Sequence, residues 1–134
     1  MTHWKGKNRH KYLLQFHLIF VCKYRNNLLS LHEILEEIKR LSEVICARHR
    51  IVIRYMESDG DHIHYMVEIE PNMSISKAVS LMKGYTTYWI WKRFSSILVQ
   101  HFWKERTFWT DGYFACSIGN VSEETIRTYI ENQD

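Results

Sequence analysis

The stretch DGDHIHYMVEIE, residues 59–70, decides how the chain folds. Asp59-Gly60 is a hairpin turn signal, and HIHYMVEIE (62–70) alternates in the manner of a half-buried strand. Ile63, Tyr65, Val67 and Ile69 share the face that would meet a core. His62 and His64 share the other face, with Cβ atoms roughly 7 Å apart. At that spacing two imidazole nitrogens can converge on one cation. The same spacing suits two polar residues on the wet side of a sheet, so the pair alone leaves both readings open. Asp59 and Asp61 are accounted for by the turn.

Working outward, IVIRYMES (51–58) precedes the turn and forms the antiparallel partner strand. YLLQFHLIFVCKY (12–24) is rich in β-branched and aromatic residues and predicts a central strand, closed by a turn at Asn26-Asn27. Between these, apolar residues at 31, 34, 35, 38, 41 and 45 form the stripe of an amphipathic helix running to about His49. After Pro71-Asn72, Ser74 or Ser76 caps a second helix whose apolar positions are 75, 78, 79, 82, 85 and 89, which puts Trp89 in the core. FWTDGYFACSIG (108–119) predicts a strand pair, or one bent strand, around Asp111-Gly112. Gly119-Asn120 then breaks the chain, Ser122 can cap, and Glu123 and Glu124 open a last helix over about 122–133.

The first six elements follow the split-βαβ order, an α+β, ferredoxin-like or RRM-like sheet with two helices on one face. The opposite face, where the histidines point, is open to the terminal helix. No composition shift divides the 134 residues, so 1–134 reads as a single domain. No apolar run approaches the ~20 residues of a membrane helix, and the N-terminus lacks the apolar core of a signal peptide. Cys22, Cys46 and Cys116 are scattered and odd in number, which fits buried thiols in a reducing cytoplasm rather than a disulfide framework.

The charge is uneven. No acid precedes Glu33, whereas Lys5, Lys7, Arg9, Lys11, Lys23 and Arg25 are all basic, a balance suited to a polyanion or to an ordinary solvated surface. WIWKRF (89–94) and HFWKERTFW (101–109) interleave tryptophan with Lys92, Arg93, Lys104 and Arg106, as in grips on single-stranded nucleic acid. The other histidines (His3, His10, His17, His32, His49, His101) show no zinc-type spacing and read as surface or satisfied polar residues.

In SEETIRTYIENQ, Thr125, Tyr129 and Gln133 share one helical face, and Ile126 and Ile130 form a neighbouring apolar row that can dock on the sheet. A tyrosine there is ordinarily a packing residue. Were this helix to lie over the histidines, a phenol, an amide oxygen and two imidazoles could surround one divalent ion. That combination suits covalent transfer of a phosphodiester.

LIFVCKYR, DHIHYMVEI and FWTDGYFACSIGNVSEETIRTYIENQ together resemble the single-tyrosine HUH transposases of the insertion-sequence 200/605 type, TnpA, over nearly the whole chain. The resemblance implies that His62 and His64 are the paired metal histidines, that Gln133 completes the site around Mg²⁺ or Mn²⁺, and that Tyr129 is the nucleophile. It further implies single-stranded DNA as substrate, cut at the element's ends through a 5′-phosphotyrosine link, with recognition of subterminal DNA hairpins. A homodimer is implied as well, with the tyrosine helix exchanged between subunits. Relatives continue with further helical sequence where this chain ends, one residue after Gln133. Rival readings are another HUH endonuclease acting in replication initiation or repeat processing, and a non-catalytic single-strand-binding module. A zinc hydrolase built on His62 and His64 lacks a third ligand at convincing spacing.

Overall fold

The computed structural model of the protein describes residues 13–117 and 123–133. Its elements are β1 (Leu14–Val21), α1 (His32–Arg48), β2 (Val52–Ser58), β3 (His62–Ile69), α2 (Ile75–Leu98), β4 (Phe114–Ser117) and α3 (Glu123–Glu131). The strands form one sheet in the order β2-β3-β1-β4, every pair antiparallel. This is the expected split-βαβ arrangement.

The alternation in β3 sets the layers. Ile63, Tyr65, Val67 and Ile69 are buried together with Leu18 and Phe20 of β1. Against them pack Ile34, Ile38 and Ile45 of α1 and Ala78, Met82 and Ile90 of α2. The fully buried Tyr65 keeps its hydroxyl satisfied by Ser42 Oγ at 2.7 Å. Ile63 lies at the centre of this layer with no exposed surface, so Ile63→Ala is expected to cost about 2–5 kcal/mol, read from the urea midpoint.

The turn before β3 is fixed by its glycine. Gly60 has φ +72°, and a Cβ there would meet Asn27 Oδ1 at 3.1 Å and Ser30 Oγ at 3.2 Å. Its carbonyl accepts from Leu29 N at 2.9 Å. The hairpin tip is thereby fastened to the turn that leads into α1, which fixes the height of His62 on the sheet.

Several boundaries differ from expectation. β1 ends at Val21 rather than at Tyr24, because Tyr24 and Arg25 take left-handed backbone angles within a single turn of 3₁₀ helix. Segment 108–117 is one bent strand and not a hairpin: Trp109 bridges Cys22 and β4 pairs with β1 further along. Both halves extend the same edge. Ser74, not Ser76, caps α2 by accepting from Lys77 N.

Trp89 is only half-buried, while Trp91 is 4% exposed. α2 is covered on that side by the segment leading to β4, and Trp91 Nε1 donates to Thr107 O at 2.8 Å. Residues 1–12, Gly119-Asn120 and Ser122 lie outside the described residues. No described helix is long and apolar enough to cross a membrane.

Candidate active site

Strand register places the histidines on the open face. His62 pairs with Val21 and His64 with Ile19. Ile19 and Val21 form a second, small cluster with Ile130 of α3, against which Ile126, Tyr129 and Phe114 pack. The terminal helix therefore docks on the face to which both imidazoles point, using the apolar row expected of it. A cleft of about 590 Å³ remains between α3 and the hairpin, lined by His62, Asp59, Asp61, Arg25, Arg127 and Glu131 among others.

Each imidazole is held by a neighbour. His62 Nδ1 donates to Asp61 Oδ1 at 2.9 Å, and this carboxylate also accepts from Arg25 Nε at 3.2 Å. With Nδ1 protonated, the lone pair of His62 resides on Nε2, the tautomer a metal-binding imidazole needs. Asp61 is thus more than a turn residue. Its role was missed because the turn already explained it.

His64 Nε2 shares a hydrogen bond with His17 Nδ1 at 2.8 Å, and the edge of Tyr55 closes on its ring at 5.6 Å between centroids. Burial, then the neighbouring His17, lowers the His64 pKa, with Glu57 opposing. His64 consequently keeps a lone pair to lower pH than a free imidazole. His17 looked like one scattered histidine. Only the pairing of β1 with β3 brings it to the site.

Tyr129 and Gln133 are placed differently. The Tyr129 ring packs on Phe114 at 5.5 Å between centroids, and Phe114 lies in the cross-strand row Phe114–Ile19–His64. Two strand spacings separate Phe114 from His64, roughly 10 Å. The Tyr129 hydroxyl faces Gly112, where a built Cβ would be 3.8 Å away. Both this hydroxyl and Thr110 Oγ1 are buried without a partner at hydrogen-bond geometry.

Burial pushes the Tyr129 phenol above its ordinary range, and the nearby Thr110 hydroxyl opposes this without cancelling it. The Gln133 amide turns back on its own helix, Nε2 donating to Tyr129 O at 3.1 Å. Among the described residues no three His, Cys, Asp or Glu side chains converge as a metal site. The donor chemistry fits a divalent ion at the two imidazoles.

The segment beneath Tyr129 is clamped by Lys83, whose ammonium donates to Thr110 O at 2.7 Å and to Gly112 O at 2.5 Å. Burial lowers its pKa to about 8, with Asp111 opposing and Lys23 adding to the shift. Because the folded-state pKa lies below the unfolded one, the unfolded chain holds more protons between pH 8 and about 10.4. Stability arising from this group should rise with pH across that window. The difference in melting temperature between wild type and Lys83→Met, measured at several pH values, is the check.

The ten basic residues singled out above sort into three groups. Lys5, Lys7, Arg9 and Lys11 lie outside the described residues. Lys23 pairs with Asp111 at 3.6 Å, Arg25 with Asp61 at 3.2 Å, and Arg93 with Glu37. Lys92, Lys104 and Arg106 have no ion pair among the described residues and instead lie over Tyr88, Trp103 and Trp91.

With this geometry in place, comparison with known proteins is decisive. The family model described as "Transposase IS200 like" matches residues 10–133. The chain belongs to the IS200-like transposase family. It is 27% identical over 119 residues to the transposase of insertion sequence element IS200 from Salmonella typhimurium, covering 89% of this chain and 76% of that protein. To the ISDra2 transposase TnpA of Deinococcus radiodurans it is 26% identical over 129 residues, covering 96% and 89%.

The fold of this IS200-like transposase matches a Deinococcus radiodurans crystal structure described provisionally as a transposase, with a TM-score of 0.82 and 26% identity. That match covers 91% of this chain and 92% of the other. A REP-associated tyrosine transposase bound to a REP hairpin shares the fold at a TM-score of 0.56 and 12% identity, covering 88% of this chain and 62% of that one.

Proposed function

We propose that this IS200-like transposase cleaves and rejoins single-stranded DNA at insertion-sequence ends through a covalent link to Tyr129. The observation that carries the reading is the pairing of two hydrogen-bonded imidazoles with a tyrosine-bearing helix on the same sheet face. The Tyr129 oxygen attacks the scissile phosphorus, the bond to the 3′ oxygen breaks, and a 5′-phosphotyrosine forms. The phenol proton is lost to solvent, and the departing 3′ oxygen takes up a proton to become a 3′-OH. Attack by another 3′-OH on the phosphotyrosine reverses the step and joins a new strand.

A divalent ion, Mg²⁺ or Mn²⁺, held by His62 and His64 with Gln133, would supply positive charge at the phosphate. Tyr129 and Gln133 are four residues apart and move as one with α3. Within one chain the phenol packs on Phe114, which lies two strands across the sheet from His64, and in this reading α3 shifts towards the imidazoles or is supplied by the second subunit of a homodimer. DNA hairpins near the cut sites are the recognised feature in this reading.

The test is incubation with hairpin-bearing single strands and Mg²⁺ or Mn²⁺. A denaturant-stable protein–DNA adduct with a free 3′-OH on the released strand is the expected result. Binding without any adduct, across element ends taken from the source DNA, would favour a non-catalytic module. An adduct that is never rejoined to a second strand would favour an endonuclease of the same chemistry.

A further inference from the structure

The His pair and α3 leave one concavity on the far side of the described residues unexplained. It is a cleft of about 630 Å³ between α2 and the bent strand, lined by Lys83, Tyr88, Trp91, Lys92, Arg106 and Thr110 among others. We propose that this cleft holds one unpaired nucleotide of the single-stranded DNA. Its phosphate would lie against Lys92 and Arg106, and its base against the aromatic wall. The proposal rests on the DNA reading above but concerns a separate place on the molecule.

Three observations carry it. First, Lys92 and Arg106, neither of which has an ion pair among the described residues, both line this cleft. Its one acidic wall residue, Asp111, is engaged with Lys23. Second, Lys83 contributes a half-buried ammonium bonded to backbone carbonyls alone, so the cleft is positive at its floor as well as its rim. Third, the wall offers aromatic surface beside those cations: Tyr88 is 55% exposed, with Lys92 5.3 Å from its ring centre. Cations that take phosphate beside a ring that takes a base are the parts of a sequence-tolerant single-strand grip. Duplex DNA, with its bases stacked inside, has none to offer the cleft.

Gly84 allows a direct test. It lines the cleft, and a Cβ built there meets nothing within 4 Å. Gly84→Phe therefore places a ring at the cleft from a helix position that has room for the new Cβ. Binding is read by fluorescence anisotropy with a labelled random single strand of about 20 nucleotides, in EDTA so that cleavage is silent. Gly84→Phe is expected to weaken binding about tenfold or more with the melting temperature maintained. Lys92→Gln and Arg106→Gln should each lower the slope of log affinity against log salt by about 0.7.

Affinity of Gly84→Phe within about twofold of wild type, unchanged salt slopes in both charge variants, or equal affinity for the matching duplex would each overturn the proposal. Adduct formation with metal is scored separately. Loss of that reaction alone would sink the catalytic reading and leave the cleft result intact.

Discussion

Tyr129→Phe is expected to abolish the covalent protein–DNA adduct completely while leaving DNA binding intact and raising the melting temperature. The first effect follows from deleting the only atom of this side chain able to attack phosphorus. The second follows from where that atom rests. The hydroxyl is buried beside Gly112 and falls short of hydrogen-bond geometry with its neighbour Thr110 Oγ1, and a buried polar group without a well-formed bond costs about 1–3 kcal/mol. Phenylalanine keeps the contact with Phe114 and removes the penalty. A gain of about 1 kcal/mol would appear as roughly 3–5 °C in a chain of this size.

An adduct persisting in the Phe variant would remove Tyr129 from the mechanism. A lower melting temperature would show that the hydroxyl is satisfied in solution. Mixing Tyr129→Phe with His64→Ala chains then separates the two routes to a complete site. Activity restored in the mixture means that α3 acts across a dimer; two inactive partners that stay inactive mean that it acts within its own chain.

The second large effect is expected at the imidazoles. His62→Ala and His64→Ala should each eliminate metal-dependent cleavage. A divalent ion at the phosphate contributes several kcal/mol to the transition state, which is roughly three or more orders of magnitude in rate. Titration with Mn²⁺ should show the loss directly as weakened binding, independent of DNA.

The supporting residues should give smaller losses of the same kind. His17→Phe and Asp61→Ala remove the hydrogen bonds that hold His64 and His62, and such partners are worth about 10–100-fold in metal affinity. Cleavage surviving in both alanine variants would exclude a metal role for the pair.

How far the sequence could be read depended on whether a feature was local. The alternation in β3 and the glycine turn before it are set by neighbouring residues, and together they gave the sheet, its buried face and the shared orientation of His62 and His64. The amphipathic row of Ile126 and Ile130 likewise specified the docking side of α3. What failed depended on register or on rigid-body placement.

His17 carries no signal until β1 is aligned with β3, when it comes to rest 2.8 Å from His64. Trp89, expected in the core, is only partly buried and Trp91 is buried instead, because α2 is covered from two sides and a single helical stripe cannot say which neighbour claims which ring. The orientation of Tyr129 was unreadable for the same reason. Helical spacing puts it on a face with Gln133, but the roll of α3 on the sheet determines where that face looks.

The shortness of α3 has its own consequence. A helix of nine residues has almost no stability in isolation, and among the described residues its buried anchor is Ile130 alone, with Ile126 and Tyr129 only partly covered. Such an element forms its own unit of local unfolding, released at a small fraction of the free energy that holds the sheet. The four-stranded sheet can thus stay rigid enough to hold two imidazoles in place while the proposed nucleophile is carried on the part of the protein that comes loose most easily. Rigidity and mobility are divided between two hydrophobic clusters of very different size.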